Sequence, residues 1–233
     1  MPGAYGIRWF GVMVRGVVFD LDGTLTDSIE AYYEAFREAT ARCGIQIKKE
    51  EVLESMAMGH LIWDRAISKE VTNREEKIKQ CMKIMPEVFL SAIERVKPFP
   101  GVDTLLETLR CRKVRIGIVT SSSRDALQPL HNHRLLDCFD ATVTREDGLR
   151  IKPSGDGIVE CLRRMQVRAG HAVMVGDSAL DIRAGKEANT LTIGVLSGIG
   201  TLSQMEEAAP TAIVEGVKDL LTLWHLGEER NGV

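Results

Sequence analysis

The sequence lacks the features of several specialised classes of protein. No apolar run approaches the roughly 18 residues that a membrane-spanning helix needs, and no signal-peptide pattern of an apolar segment before a small-residue cleavage site occurs near the N-terminus. The five cysteines are scattered without a CxxC pair, so we expect free thiols rather than disulfides or a cysteine-rich zinc site. These absences predict a cytoplasmic protein with no membrane partner. Met13 is an alternative natural start, which would make residues 1–12 an extension.

The chain also lacks an excess of charge of either sign. It has 30 basic and 33 acidic residues and a net charge of −3, so nothing indicates the basic surface of a nucleic-acid-binding protein. Hydrophobic residues make up 44% of the chain and charged residues 27%, which is typical of globular proteins. A chain of 233 residues buries roughly 70% of its unfolded surface, enough for a large core.

Short apolar runs rich in valine and isoleucine alternate with segments of helical length. The runs are typical of parallel strands that are buried on both faces, and the alternation predicts an α/β fold with a doubly wound, parallel, Rossmann-like sheet. The predicted strands cover residues 14–19, 114–119, 172–175, 191–195 and, more weakly, 212–214. The predicted helices between and after them cover residues 124–136, 154–165, 180–188 and 217–226.

One interval, residues 28–97, has no convincing strand and predicts a small all-helical domain inserted after the first strand. Apolar residues at three- and four-residue spacing predict its helices. Pro86 is expected to kink or break the last of them. A proline-rich linker at residues 97–101 closes the interval, so we expect an α/β core of residues 13–27 and 98–233. The helices are predicted at residues 29–43, 50–58, 61–71 and 74–96.

Acidic residues stand at the ends of two predicted strands. Asp20 and Asp22 follow the first strand, at the sheet edge where open α/β sheets bind ligands, and Gly23 allows a sharp turn there. Two anions placed together need a cation, and Mg²⁺ with its preference for oxygen ligands is the natural one. Solvated loop carboxylates are the alternative. Asp177 ends a later strand, and Asp181 lies four residues on, where it would either brace the site or complement a helix dipole.

Hydroxyl groups and a lysine complete the candidate site. Thr120 and Ser121 begin a run of four hydroxyl residues at a strand-to-helix junction, which suits either an anion site or a helix cap. Lys152 precedes a predicted helix and would be either a fixed positive charge or solvated surface. Acids with Mg²⁺, a hydroxyl and a lysine together match what phosphoryl transfer requires.

The segment DLDGTLTDS at residues 20–28 resembles the first motif of the haloacid dehalogenase superfamily of phosphohydrolases. Thr120 is similar to its second motif, Lys152 to its third, and residues 176–178 with Asp181 to its fourth. The resemblance covers nearly the whole chain. It implies that residues 28–97 form a mobile helical cap, which would exclude water and select the substrate.

The resemblance also implies a role for each candidate residue. Asp20 would be the nucleophile and Asp22 the general acid and base. Mg²⁺ would be held by the side chains of Asp20 and Asp177 and the backbone carbonyl of Asp22, while Asp181 orients the metal shell. Thr120 and Lys152 would hold the phosphoryl group. The remaining residues expected to bind phosphate or substrate are Gly23, Thr24 and Ser121.

Within the superfamily, Asp22 favours phosphate chemistry over dehalogenation. The sugar phosphomutase branch usually has a histidine where Tyr32 stands and an arginine near residues 59–62, although Arg65 is close. We therefore expect a phosphatase resembling the phosphoglycolate phosphatases, acting as a monomer or homodimer on a small phosphorylated metabolite. The alternatives are a sugar phosphomutase, a receiver-like signalling domain and a non-catalytic binding protein.

Two further segments carry weaker predictions. Candidate selectors of the substrate lie in the cap, with helix packing as the alternative for its aromatic members. The glycine-rich residues 194–200 are expected to form a flexible connection rather than a dinucleotide loop, because no GxGxxG motif follows the first strand. The candidate selectors are Tyr32, Tyr33, His60, Trp63 and Arg65.

Overall fold

The computed structural model describes residues 7–9, 11–57, 63 and 67–223. It begins with an antiparallel hairpin of β1 (Ile7–Trp9) and β2 (Val12–Val14), and a sheet of six parallel strands follows in the order β5-β4-β3-β6-β7-β8. This confirms the predicted doubly wound α/β fold. The strands of the sheet are β3 (Gly16–Phe19), β4 (Arg115–Val119), β5 (Ala141–Val143), β6 (Ala172–Gly176), β7 (Leu191–Val195) and β8 (Ala212–Val214).

The helices lie between the strands and, in one group, between β3 and β4. The α-helices are α1 (Ile29–Arg42), α2 (Lys49–Ala57), α3 (Arg74–Ile93), α4 (Val102–Cys111), α5 (Gln128–Asn132), α6 (Asp156–Met165), α7 (Ala179–Glu187) and α8 (Leu202–Ala208). Short 3₁₀ turns occupy Arg124–Leu127, Leu136–Cys138, Arg145–Asp147, Ala169–His171 and Val217–Asp219. Among the described residues, no helix is long and apolar enough to cross a membrane.

The central strand β3 is completely buried because helices cover both faces of the sheet. Its side chains alternate, so that Val17 and Phe19 belong to the apolar cluster shared with α4, while Val18 belongs to the cluster shared with α6. Burial on both faces explains the continuous apolar run that made this strand predictable. The fold therefore holds the end of β3 in a fixed position between β4 and β6.

The interval between β3 and β4 is helical, as predicted, with α1 packed against α3. Tyr32 of α1 and Phe89 of α3 have ring centroids 4.8 Å apart. Helix α3 continues through Pro86, so the break that the sequence allowed does not occur. The carbonyl of Met82 loses its helical hydrogen-bond donor at Pro86, and both residues lie on the exposed side of the helix. Five of the eleven residues of the helix predicted over residues 61–71 lie outside the described residues. Of the others, residue 63 is helical, and residues 67–71 form bends and turns.

Two backbone hydrogen bonds pair the chain that enters this helical interval with the chain that leaves it. The amide of Asp27 donates to the carbonyl of Lys97 at 3.0 Å, and the amide of Phe99 donates to the carbonyl of Leu25 at 2.9 Å. The outgoing and returning chains thus lie side by side where the sequence predicts the boundaries at residues 27/28 and 97/98. The division into core and cap domains stays a prediction.

Three other elements differ from the sequence-based prediction. The helix expected over residues 124–136 is divided into a 3₁₀ turn, α5 and a second turn, and Arg134 takes a left-handed conformation with φ 57°. Strand β5 was not predicted, because its three residues give too short an apolar pattern. The hairpin was not predicted either, and it places Trp9, 2% exposed, in the core of the protein.

Candidate active site

The predicted polar residues meet at the carboxyl edge of the sheet. Asp20 follows β3, Thr120 follows β4 and Asp177 follows β6, and all three are buried. Because β3 pairs in parallel with both β4 and β6, the ends of these strands are neighbours. The strand order reverses at β3, with β4 and β5 on one side and β6, β7 and β8 on the other. Such a switch point is where open parallel sheets place their ligands.

Lys152 links two of the acidic residues. Its Nζ contacts Oδ1 of Asp20 and lies 2.5 Å from Oδ1 of Asp181, with the carbonyl of Val119 at 3.3 Å. Burial alone would lower the pKa of Lys152, but the carboxylates of Asp181 and Asp20 outweigh it and raise that pKa. The ammonium group is therefore positively charged and held between the two carboxylates.

Asp181 has a structural and an electrostatic role at once. Ser178 is the N-cap of α7; the amide and hydroxyl of Ser178 donate to Oδ2 of Asp181, at 3.0 and 2.5 Å. This capping box satisfies free backbone groups at the start of α7 and fixes the rotamer of Asp181. The second oxygen, Oδ1, is then directed at Lys152. One oxygen of Asp181 thus belongs to the cap of α7 and the other contacts Lys152, while its role in the site stays a prediction.

Asp177 is held by the glycine-rich segment of residues 194–200. The amide of Ile199 donates to Oδ2 of Asp177 at 2.8 Å, and the amide of Gly200 donates to the carbonyl of Asp177 at 3.0 Å. A Cβ on Gly198 would lie 1.9 Å from Oδ2 of Asp177, so only glycine permits this approach. Ile199 and Gly200, in the segment expected to be a flexible connection, are therefore hydrogen-bonded to Asp177, and the flexibility of the segment stays a prediction.

Gly23 and Thr24, in the loop after β3, also lie beside the carboxylate of Asp177. Gly23 has φ +80°, and a Cβ there would lie 2.6 Å from Oδ2 of Asp177. Thr24 is completely buried and donates its hydroxyl to Oδ1 of Asp177 at 3.1 Å. Both residues were predicted to bind phosphate or substrate, and this role stays a prediction. The hydroxyl of Ser197 also donates to the carbonyl of Gly23, at 2.7 Å.

Asp22 lies in a separate set of hydroxyl groups. Ser28 donates to its Oδ1 and Ser122 to its Oδ2, both at 2.7 Å, and the hydroxyl oxygen of Tyr32 lies 3.2 Å from Oδ2. Thr120 Oγ1 lies 3.4 Å from the same oxygen. Burial raises the pKa of Asp22, an effect that the hydrogen bonds from Ser122, Ser28 and Tyr32 reduce. Unlike Asp20, this half-buried carboxylate is oriented by neutral hydroxyl donors.

A divalent cation fits the donor set next to Asp20. Oxygen atoms of Asp20, Asp177 and Asp181 all lie within 4.8 Å of one another, and all three residues are buried. Burial raises the pKa of Asp20 well above its usual value, with Lys152 opposing and Asp181 and Asp177 reinforcing the shift. Burial, followed by the charge of Asp181, raises the pKa of Asp177 to about 7. Three carboxylates facing one ammonium group leave uncompensated negative charge, which a hard cation with oxygen ligands would neutralise.

The remaining predicted residues lie at different places. Ser121 is half-buried and, with Thr120 and Lys152, lines a small cleft beside the site. Trp63 packs against Phe36, with ring centroids 4.6 Å apart, as its packing interpretation expects. His60 and Arg65 lie outside the described residues.

Sequence reasoning missed part of the hydroxyl set around Asp22. In the sequence, Ser28 stands at the end of the first motif and Ser122 within the run of hydroxyl residues, and neither was expected to contact Asp22. The position of Ser28 immediately before α1 could have indicated this contact, because the start of that helix lies beside Asp22. No pattern in the sequence indicated that Ser122 and Tyr32, 90 residues apart, are hydrogen-bonded.

Comparisons with known proteins agree with this geometry. The family model described as haloacid dehalogenase-like hydrolase matches residues 17–195. A pyrophosphatase PpaX of Bacillus velezensis is 30% identical over 213 residues, covering 89% of this chain and 95% of the relative. A phosphoglycolate phosphatase of Escherichia coli is 25% identical over 240 residues, covering 94% and 95%. The crystal structure of a hydrolase from Pseudomonas syringae superposes with a TM-score of 0.78 at 27% identity, covering 92% and 98%.

The fold and the site therefore define a hydrolase of the α/β class with its polar residues at a sheet switch point. The chain belongs to the family of haloacid dehalogenase-like hydrolases. This confirms both the family and the enzyme class expected from the sequence, a phosphatase of that superfamily.

Proposed function

We propose that this phosphatase uses Mg²⁺ to hydrolyse a small phosphorylated metabolite, and that the phosphoryl group passes through Asp20. The observation that carries the proposal is the contact of Asp20 with Lys152 beside Asp177 and Asp181. This arrangement offers an oxygen nucleophile, a fixed positive charge and a set of metal ligands within one buried site.

Asp20 would attack the phosphorus atom and release the alcohol or phosphate leaving group. Its backbone amide is anchored to the carbonyl of Val175 at 2.8 Å, which continues the β3–β6 ladder and fixes the carboxylate. Lys152 neutralises Asp20 in the resting enzyme and would stabilise the transferring phosphoryl oxygens, together with the buried hydroxyl of Thr120. Hydrolysis is thus divided into formation and breakdown of an aspartyl phosphate.

Asp22 would act as the general acid and then as the general base. In the first step it gives a proton to the leaving oxygen, and in the second it takes one from the attacking water. The carboxylate lies two residues after Asp20 and is half-buried, so it is partly accessible to solvent. Ser28 and Ser122 each donate to one of its two oxygens, which sets the plane of the group.

Asp20 and Asp177 would hold the cation with the backbone carbonyl of Asp22, and Asp181 would orient them. When bound, Mg²⁺ offsets negative charge on the carboxylates and the non-bridging phosphoryl oxygens. The helical interval between β3 and β4 would act as the cap, and a site closed by a cap suits a small substrate better than a folded protein. The relatives named pyrophosphatase PpaX and phosphoglycolate phosphatase support a small phosphorylated anion as the substrate class.

The experiment is hydrolysis of p-nitrophenyl phosphate by the wild type and by Asp20→Asn, each with Mg²⁺ and with EDTA. We expect wild-type activity that depends on Mg²⁺ and is lost in EDTA. Asp20→Asn should lose turnover, and its melting temperature should be no more than a few degrees below that of the wild type. Asp103→Asn, the same change at an exposed carboxylate that is hydrogen-bonded to the neighbouring Thr104, is the matched control and should retain activity.

Two results would reject the proposal. Full activity of the wild type in EDTA would show that the reaction needs no metal, and wild-type turnover of Asp20→Asn would show that Asp20 is not the nucleophile. A screen of small phosphorylated metabolites, with pyrophosphate, phosphoglycolate and hexose phosphates among them, then ranks substrates by kcat/KM. Transfer of the phosphoryl group to a second sugar phosphate instead of water would identify a mutase.

A further inference from the structure

We propose that Tyr32 is a positioning residue for Asp22 and that it acts through Ser122. The proposal rests on the proposed function, in which Asp22 is the general acid and base. It assigns a role to a tyrosine of α1 that the motifs do not include, and it ties the cap to the loop after β4.

The contacts form a short chain of hydroxyl groups. The hydroxyl of Tyr32 lies 2.6 Å from Oγ of Ser122, and that Oγ lies 2.7 Å from Oδ2 of Asp22. Tyr32 also lies 3.2 Å from Oδ2 of Asp22. The three residues come from three separate parts of the chain, namely α1, the loop after β4 and the loop after β3.

Counting protons gives the direction of this chain. Each hydroxyl group has one proton to donate, and Ser122 directs its proton at Asp22. The oxygen of Ser122 is then free to accept the proton of Tyr32, and this contact is the shorter of the two that Tyr32 makes. The order of donation is therefore Tyr32 to Ser122 to Asp22. A serine that receives such a bond is held in one rotamer and becomes a better donor.

The phenolic end is itself fixed. The ring of Tyr32 packs against Phe89 of α3, with 4.8 Å between the centroids, so the hydroxyl is presented by two packed helices. The opposite oxygen of Asp22 is held by Ser28, which stands immediately before α1. Both carboxylate oxygens are thus oriented from the α1 end of the cap, one directly and one through Ser122.

Packing alone does not require this hydroxyl group. A phenylalanine would fill the same space against Phe89, whereas a buried phenol costs free energy unless it is hydrogen-bonded. Removal of the hydroxyl would leave Ser122 free to rotate away from Asp22. Asp22 would still be a carboxylate but would no longer be held in one orientation. This should slow proton transfer more than it weakens substrate binding.

The experiment compares Tyr32→Phe with Ser122→Ala, their double variant and Tyr33→Phe. Each is assayed with p-nitrophenyl phosphate, which has a good leaving group, and with glycerol phosphate, whose alkoxide must be protonated. We expect the kcat/KM of Tyr32→Phe to fall about tenfold on glycerol phosphate and less on p-nitrophenyl phosphate. This parameter reports formation of the aspartyl phosphate, whereas kcat also includes its breakdown, which is the same step for both esters. The double variant should lose little more than Ser122→Ala alone, because the two residues act in series.

Tyr33→Phe is the matched control. It removes the same group from the next residue of α1, whose ring lies 5.1 Å from Nζ of Lys49, and it should leave the ratio of kcat/KM on the two esters as in the wild type. Melting temperatures show whether each variant is folded. If Tyr32→Phe is unfolded, Ser122→Ala must by itself show the loss that depends on the leaving group.

Three results would overturn the proposal: wild-type kcat/KM of Tyr32→Phe on glycerol phosphate, an equal loss of kcat/KM on both substrates, or additive effects in the double variant. Failure of the proposed function would look different. In that case Asp22→Asn would itself keep wild-type kcat on glycerol phosphate, or the wild type would hydrolyse neither ester.

Discussion

Replacement of Lys152 by methionine tests the charge balance of the site directly. Lys152 is 9% exposed, and its ammonium group contacts Asp20 and Asp181, which are 5% and 1% exposed. Asp177 is a third buried carboxylate, with an oxygen within 4.8 Å of oxygens of Asp20 and Asp181. Methionine fills the space of the lysine stem, so the substitution removes the positive charge with little loss of packing.

The expected loss of stability follows from leaving buried charges without a partner. Breaking a buried ion pair by removal of one member typically costs about 3–5 kcal/mol. At this chain length each kcal/mol lowers the melting temperature by about 2–4 °C, so a decrease of roughly 10 °C is expected. Mg²⁺ should recover part of this loss, because a cation bound by the same carboxylates stabilises only the folded state.

The assay is urea denaturation of the wild type and Lys152→Met, each in EDTA and in Mg²⁺. Lys79→Met, at an exposed position of α3, is the control and should change the free energy of unfolding by less than about 0.5 kcal/mol. The reasoning is refuted if Lys152→Met unfolds within 1 kcal/mol (about the noise of such fits) of the wild type in EDTA. A loss that Mg²⁺ leaves unchanged would separate Lys152 from the metal site.

Two further substitutions test other parts of the account. Gly23→Ala places a Cβ 2.6 Å from Oδ2 of Asp177 and strains a backbone with φ +80°, so we expect a loss of about 1–2 kcal/mol in stability and a clear decrease in Mg²⁺ affinity; titration calorimetry that finds unchanged Mg²⁺ affinity would contradict this. Trp9→Ala should cost about 3 kcal/mol in thermal or urea unfolding, whereas Arg8→Ala on the exposed side of the same strand should cost almost nothing; equal effects would mean that the hairpin adds little to the core.

The sheet and the main acidic residues could be predicted because they depend on local pattern. Strand β3 is apolar throughout, since it is covered on both faces, and Asp20 directly follows it. The parallel order of the strands then brings Asp177 to the same edge. These features need only the rule that parallel strands end together.

The supports of the site could not be predicted in the same way, because they depend on contacts distant in sequence. Ile199 holds Asp177 through a backbone amide, a group that every residue except proline has, so its identity gives no signal. The link between Tyr32 and Ser122 depends on how α1 docks beside the loop after β4.

Short elements were missed for a different reason. Strand β5 and the two strands of the hairpin have three residues each, too few for periodicity to be recognised. The continuity of α3 through Pro86 depends on which side of the helix the proline occupies. That side is set by tertiary packing of Val88 and Phe89, which are buried.

The central claim, that the phosphoryl group is transferred to Asp20, is tested most directly by the first turnover of Asp22→Asn. With p-nitrophenyl phosphate the leaving group needs no acid, so the phosphoenzyme should form, while its breakdown lacks the general base. We predict a burst of p-nitrophenol equal to the enzyme concentration, followed by slow turnover, and peptide mass spectrometry after acid quench should find the phosphoryl group on Asp20. Linear release without a burst, or a phosphoryl group on another residue, would contradict the account.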